Sequence, residues 1–302
     1  MSANRGGIAE GHVDIIARLK ARLGHGHGAE TRLIEAILAD LHHATHATTT
    51  ELARRAEVSE PTVTRLARAL GFRSTREMKV HLAQALAIGG AYLRPPEPST
   101  LPETANQIIS TVCSRAHSAL DLISVALGTT DVGALGRRLA EAERILIHGT
   151  GGGSSMAATE LHNRLFRLGL NSCSYVDPQL QRMSASVAGP GTVIVAFSIS
   201  GRSRSVLDGV RIARQYGAYA IAVTVEDSPL AAEADTLVPF HFQEDGDLYK
   251  PSSSRYALLA IADILAMSTA KTLGPAVLEL LRRVRQSLAT AEITDPLYPI
   301  GD

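Results

Sequence analysis

The sequence contains no tryptophan, and aromatic side chains make up only 4% of its 302 residues. That scarcity argues against a platform for stacking the bases of single-stranded nucleic acid, which needs exposed rings. Cysteine is nearly absent too: Cys113 and Cys173 are too few for a disulfide framework, have no Cys-x-x-Cys spacing for a metal, and suit a reducing cytoplasm. Thirty basic residues balance thirty acidic ones. Bulk electrostatics therefore favours neither nucleic acid nor membrane, and any charge asymmetry has to be local. No run of about 18 apolar residues occurs, and the N-terminal Met1–Gly7 stretch lacks the apolar segment of a secretory signal. The expectation is a soluble, cytoplasmic protein without a membrane partner.

What the sequence does hold is a strand that changes character abruptly. Residues Thr192–Phe197 form an unbroken apolar, β-branched run, as expected of a strand buried on both faces of a parallel sheet. Ser198-Ile199-Ser200-Gly201-Arg202-Ser203 follows, rich in hydroxyls around a glycine. From Arg204 to Tyr216 the spacing of Val206, Leu207, Val210 and Ala213 predicts an amphipathic helix stopped by Gly217. Strand, hydroxyl-rich turn and helix start together suit a dianionic phosphate, because free N–H groups and the positive end of the helix dipole point at it. A capped turn of purely structural use is the simpler alternative.

A second turn of the same kind follows the strand Arg144–His148. In Gly149-Thr150-Gly151-Gly152-Gly153-Ser154-Ser155 the glycines permit close backbone approach to an anion, and Ser154 and Ser155 open the next helix. A dinucleotide site is the rival reading. Its Gly-x-Gly-x-x-Gly spacing is imperfect, and only Asp177 offers an acidic residue near the required place. Strands at Ser172–Val176, Ala218–Thr224 and Thr236–Phe242 alternate with helices, giving a parallel five-stranded α/β sandwich whose ligands sit beyond the carboxyl ends of the strands. Downstream, Ser252-Ser253-Ser254-Arg255 opens an apolar helix, adding Ser254 and Arg255 to the candidate site.

The first 86 residues read as helices only. Apolar spacing marks helices at 13–23 and 31–41, separated by Gly24-His25-Gly26-His27-Gly28. A short helix at Glu51–Ala56, capped by Thr48-Thr49-Thr50, is followed by the tight turn Glu57-Val58-Ser59. Pro61 then stands in the first turn of a helix ending at Gly71. Leu52, Val58, Val63, Leu66 and Leu70 are spaced to lock these two helices together as a helix-turn-helix. Between Arg54 and Lys79 there are seven basic residues against three acidic, a local surplus in a neutral chain. Ser59, Thr62 and Thr64 would meet base edges, Arg65, Arg68, Arg73 and Lys79 mostly phosphates, and Thr50 and Pro61 also belong to the expected DNA-binding residues. His42, His43 and His46 read as a polar surface cluster, so no metal is expected, and no cofactor either. Residues 87–103, with Gly89, Gly90, Pro95, Pro96, Pro98 and Pro102, read as a semi-rigid linker between this domain and residues 104–302.

Two resemblances follow from these residues. Ser198-x-Ser200-Gly201-x-Ser203, then Gly217-Ala218 and a strand to Thr224, resembles the SIS (sugar isomerase) domain, which implies a phosphosugar at the strand ends. That domain carries a serine where Gly153 stands, with the hydroxyl here one place later, at Ser154. Glu51-Leu52-Ala53, Val58-Ser59-Glu60-Pro61-Thr62-Val63-x-Arg65-Leu66 and Leu70-Gly71-Phe72 resemble the N-terminal domain of the RpiR family of bacterial transcription regulators. Gln181-Arg182-Met183-x-Ala185-Ser186-Val187-Ala188 is similar to the HexR-like branch of that family, hexose-catabolism repressors that sense 2-keto-3-deoxy-6-phosphogluconate. The resemblance implies operator DNA and a phosphorylated sugar or sugar acid as partners, a homodimer or homotetramer, and no catalysis. A carboxylate on the ligand would call for a further cation, from Arg202, Arg204, Lys250 or Arg255. A phosphosugar isomerase is the alternative, with Glu160 or His162 as base, but two residues apart on a helix they face different ways.

Overall fold

The computed structural model describes residues 14–23, 28–93, 104–242 and 251–291. The chain divides after Pro102 into two compact units.

The first unit is helical throughout its described residues: α1 (Ile15–Leu23), α2 (Ala29–Ala39), α3 (Leu41–His46), α4 (Thr49–Arg55), α5 (Glu60–Ala69) and α6 (Thr75–Leu93). Thr48 opens α4 with a full capping box, its hydroxyl accepting from Glu51 N–H while the Glu51 carboxylate accepts from Thr48 N–H. Both helices of the helix-turn-helix end the same way. Val58 N–H returns to Ala53 O across Glu57 (φ 52°), and Phe72 N–H to Ala67 O across Gly71 (φ 92°). Leu52, Val63, Leu66 and Leu70 are buried with Ile15, Leu19, Leu33, Ile37, Met78 and Leu82 in one core, and Val58 packs against it. Two elements differ from the expectation. His42, His43 and His46 lie on a helix of their own, α3, capped by Asp40, where the sequence marks no helix between residue 41 and Glu51. The segment read as linker begins helical, because α6 runs on through Gly89 and Gly90 to Leu93. The prolines at 95, 96, 98 and 102 lie outside the described residues.

The second unit is a doubly wound α/β sheet: α7 (Ala105–Ala126), a 3-10 turn at Leu127–Thr129, α8 (Val132–Ala140), β1 (Arg144–Gly149), α9 (Gly152–Arg167), β2 (Ser172–Tyr175), α10 (Pro178–Ser186), β3 (Thr192–Ser198), α11 (Arg204–Gln215), β4 (Tyr219–Thr224), α12 (Pro229–Ala232), β5 (Thr236–Pro239), α13 (Ser254–Leu273) and α14 (Ala276–Ala291). The five strands are parallel in the order β2-β1-β3-β4-β5. Side chains alternate between the faces. Ile145, Ile147, Val193, Val195, Phe197, Ile221 and Val223 pack under α7, α8, α9 and α13. Leu146, Ile194, Ala196, Ala220 and Ala222 pack under α10 and α11. β3 is buried at all seven positions, as its apolar run demands. The last strand is shorter than the expected Thr236–Phe242: the ladder ends at Pro239, which has no N–H to donate, although Phe240 N–H still reaches Thr224 O at 2.8 Å. α13 has the length and hydropathy of a membrane span. It carries Arg255, Asp263 and Lys271, however, and buries Ala257, Leu258, Ile261 and Leu265 in the core.

Candidate phosphate site and nucleic-acid interface

The strand order fixes where a ligand goes. The chain leaves β1 for α9 on one face and β3 for α11 on the other, and β1 and β3 are neighbours. Their carboxyl ends therefore flank the crevice where the winding reverses, the usual ligand position in such sheets.

At the end of β1, Gly149 accepts no side chain, since a Cβ would run into the Ser154 carbonyl. The chain folds back tightly there and opens α9 at Gly151 (φ 84°), which with Gly152 faces open space. No side chain caps α9, so its first N–H groups are left for another acceptor. At the end of β3, Gly201 (φ 62°) is equally obligatory: a Cβ would strike Ser228 and lie 2.7 Å from Thr224 Oγ1. Gly201 N–H donates to Ser198 O and Gly201 O accepts from Leu230 N–H, each at 3.1 Å, which pins the turn to α12. Ser203 is the N-cap of α11, and its side chain makes no capping hydrogen bond. Two uncapped helix N-termini thus flank one crevice, with Ser200 exposed and Ser203 half-buried between them.

Thr150 Oγ1 and Ser205 Oγ, 3.1 Å apart, join the two turns directly. Gln181, fully buried, anchors the first of them: its amide nitrogen donates to Tyr175 O at 2.8 Å, Thr150 Oγ1 at 3.0 Å and Gly149 O at 3.3 Å. Ser205 is not singled out by motif spacing, and Gln181 enters the sequence reading only as the first residue of a HexR-like run, its anchoring role unseen, because each acts through a partner distant in sequence. Asp177 is spent as the N-cap of α10, accepting from Gln179 N–H and Leu180 N–H, which removes the one acidic residue a dinucleotide ribose would need.

The third serine cluster reaches the same place. A Cβ on Gly153 would stand 3.3 Å from Leu258 of α13 and 3.8 Å from Ile199 of the β3 turn. Ser254 lies one turn before Leu258 and is 2% exposed, paired with Ser252 Oγ. Gly153 thus faces apolar neighbours, and Ser154 beside it is only 5% exposed. Ser198 is buried, and Ser155 is turned back on its own helix, its hydroxyl donating to Gly151 O and Gly152 O. Arg255 lies over the Tyr256 ring at 4.8 Å and donates to its hydroxyl at 3.1 Å. Arg202 and Arg204 are exposed and make no ion pair among the described residues; Lys250 lies outside them.

The groups a catalyst would use are engaged elsewhere. Glu160 pairs with Arg164 at 2.6 Å, and Arg164 with Asp263 at 3.3 Å, in a groove of about 580 Å³ between α9 and α13. His162 Nδ1 is 3.0 Å from Ser172 Oγ. His148, on β1 itself, is fully buried. Its Nε2 lies 3.1 Å from Ser184 Oγ while Nδ1 has no partner, and burial lowers its pKa to about 4, so the ring is neutral.

In the helical unit, the buried and exposed residues of α5 separate cleanly. Thr62, Val63, Leu66 and Ala67 face the core; Pro61, Arg65 and Arg68 are exposed on the opposite stripe, with Thr64 half-buried beside them. Thr62 is therefore not at the outer face expected of it. It is 8% exposed, hydrogen-bonded to Ser59 Oγ at 3.0 Å, and accepts from Arg65 Nη2 at 3.2 Å, which steers that guanidinium. Thr50 donates to Glu60 at 2.8 Å, and Lys79 donates to Ala47 O at 3.0 Å at the end of α3. Arg54, Arg68, Arg73 and Arg76 are exposed and without ion pairs among the described residues, leaving the surface beside α5 positive.

These two halves define a class, a helix-turn-helix regulator carrying a sugar-isomerase-type α/β domain. Residues 13–89 match the helix-turn-helix domain of the rpiR family, and residues 138–268 match the SIS domain. The chain is 33% identical over 298 residues to the HTH-type transcriptional regulator HexR of Pseudomonas aeruginosa, across 96% of this chain and 99% of that protein. It is 29% identical over 290 residues to HexR of Escherichia coli, with the same coverage. The NanR protein of Vibrio vulnificus, solved with ManNAc-6P, shares the fold at a TM-score of 0.57 and 22% identity, over 92% of this chain and 98% of that one. The chain belongs to the RpiR family of transcription regulators, and the two curated relatives described above, matched over nearly their whole length, are HexR-type.

Proposed function

We propose that this regulator is a repressor of sugar-catabolism genes that releases its operator when a phosphorylated sugar acid, with 2-keto-3-deoxy-6-phosphogluconate as the leading candidate, occupies the crevice between β1 and β3. Residues 1–86 read the operator, residues 104–302 sense the ligand, and the chain works as a homo-oligomer so that two heads engage two half-sites. The observation that carries this reading is the Thr150–Ser205 contact, which brings two hydroxyl-rich turns and two uncapped helix N-termini to one place. Ser200, Ser203 and the N–H groups of Gly151 and Gly152 hold the phosphoryl oxygens, with Gly201 shaping the turn and Ser154, Ser155, Ser198 and Ser254 around them. Arg204, Arg202 or Arg255 meets the carboxylate. Ligand and operator are then linked by a coupling free energy of about 1–3 kcal/mol. HexR-type relatives of nearly full length and the ManNAc-6P complex of a protein with the same fold support the proposal.

The test is a thermal-shift comparison of phosphorylated sugars and sugar acids with their unphosphorylated counterparts, since a binder raises the unfolding temperature by mass action. Stabilisation by 2-keto-3-deoxy-6-phosphogluconate but not by the free acid is expected. Equal stabilisation by both, or by neither, contradicts the reading.

A further inference from the structure

The last turn of any helix leaves carbonyls without intrahelical donors. At the end of α5 each one can be accounted for. Ala67 O accepts from Phe72 N–H at 3.0 Å and Arg68 O from Gly71 N–H at 2.9 Å, through the left-handed Gly71. That leaves Ala69 O and Leu70 O. Both are taken by side chains from α1: Arg18 Nη1 donates to Leu70 O at 2.6 Å, and Arg22 Nη1 to Ala69 O at 3.4 Å. Arg22 is itself fixed by Glu30 of α2 at 2.6 Å. Gly71 is tied to the same contact, since a Cβ there would sit 3.1 Å from Arg18 Nη1. Two guanidinium groups thus close the negative end of the α5 dipole, where cations are favoured.

We infer that Arg18, seconded by Arg22, is a positioning residue for DNA reading: it clamps the carboxyl end of α5 and so sets the angle at which the other end of that helix presents Ser59 and Thr64 to base edges. α1 and α2 lie outside the helix-turn-helix, and the clamp gives them a role in operator recognition without touching DNA. The inference rests on α5 being the reading helix. It predicts that loss of the Arg18 bond weakens discrimination between sequences and leaves the number of phosphate contacts unchanged.

The experiment compares full-length wild type, Arg18→Gln, Arg18→Lys and Arg68→Ala. The probes are a duplex selected by the wild-type protein from a random-sequence pool and a scrambled duplex of the same composition, well below every variant's unfolding temperature. Arg18→Gln should bind the selected duplex about tenfold more weakly, the scale of one charge-assisted hydrogen bond. It should bind the scrambled duplex as wild type does and keep the wild-type salt slope. Arg18→Lys, which still brings a donor to Leu70 O, should recover most of the loss. Arg68→Ala should instead lower the salt slope by about one. Normal affinity of Arg18→Gln for the selected duplex, with only its unfolding temperature reduced, overturns the clamp and leaves DNA reading by α5 intact. A salt slope lowered in Arg18→Gln also overturns it, because Arg18 would then touch phosphate. A wild-type protein that selects no duplex removes the DNA reading itself, and the clamp falls with it. Should Arg18→Gln not fold, Arg22→Gln carries the same comparison.

Discussion

Thr150 Oγ1 and Ser205 Oγ lie 3.1 Å apart, one at the end of β1 and the other in the first turn of α11. Fifty-five residues separate them in sequence, yet the β1–β3 pairing makes them neighbours, with Gly149 level with Phe197. Their contact closes the floor of the crevice. Replacing Ser205 by Ala removes one hydrogen bond and should weaken phosphosugar binding about three- to tenfold, with operator binding in the absence of ligand unchanged. Isothermal titration of the variant measures this.

Gly201 is fixed both by its positive φ and by Ser228 pressing where a Cβ would go. Gly201→Ala should cost about 2–4 kcal/mol of stability, combining backbone strain with overpacking. Urea unfolding checks it; a loss under 1 kcal/mol would mean the turn relaxes away from α12.

The exposed stripe of α5 predicts a salt effect. Arg65→Ala and Arg68→Ala should each weaken DNA binding and lower the slope of log K against log salt by about one, at selected and scrambled sequences alike. Unchanged slopes would show that neither arginine meets a phosphate.

His148 makes stability depend on pH. Its pKa falls from 6.5 to about 4 on folding, because burial penalises the charged ring. Below 6.5 the unfolded chain takes up a proton that the folded protein refuses. The stabilisation is therefore complete above 6.5 and is lost as the pH falls towards 4, by about 3 kcal/mol in all. In urea unfolding, His148→Gln should lose less stability than wild type between these pH values. Parallel curves would contradict the assignment.

The fold was legible because its signals are local. The apolar run of β3, the helical spacing of Val206, Val210 and Ala213, and the capping residue Thr48 each mark an element within a few residues of chain. The two turns could be found for the same reason. What the sequence hid lies in contacts between distant segments. Gln181 enters the sequence reading only as part of a HexR-like run, with nothing to show that it holds Gly149 and Thr150, and nothing local marks Arg18 as the partner of Leu70 O. Thr62 was misplaced because a threonine in the first turn of α5 suits either face, and only the packing of Val63 and Leu66 decides the phase. Glycines at 89 and 90 suggested a break, yet the continuing helix of α6 absorbs the roughly 1 kcal/mol that each costs.

The most direct measurement follows an operator duplex by fluorescence anisotropy while 2-keto-3-deoxy-6-phosphogluconate is added to the wild-type protein and to the Ser200→Ala/Ser203→Ala double variant. The wild type should release the duplex, and the double variant should bind it with equal affinity but hold it at every ligand concentration. A double variant that lets go at the wild-type concentration would show that the phosphoryl group is gripped somewhere other than the β3 turn.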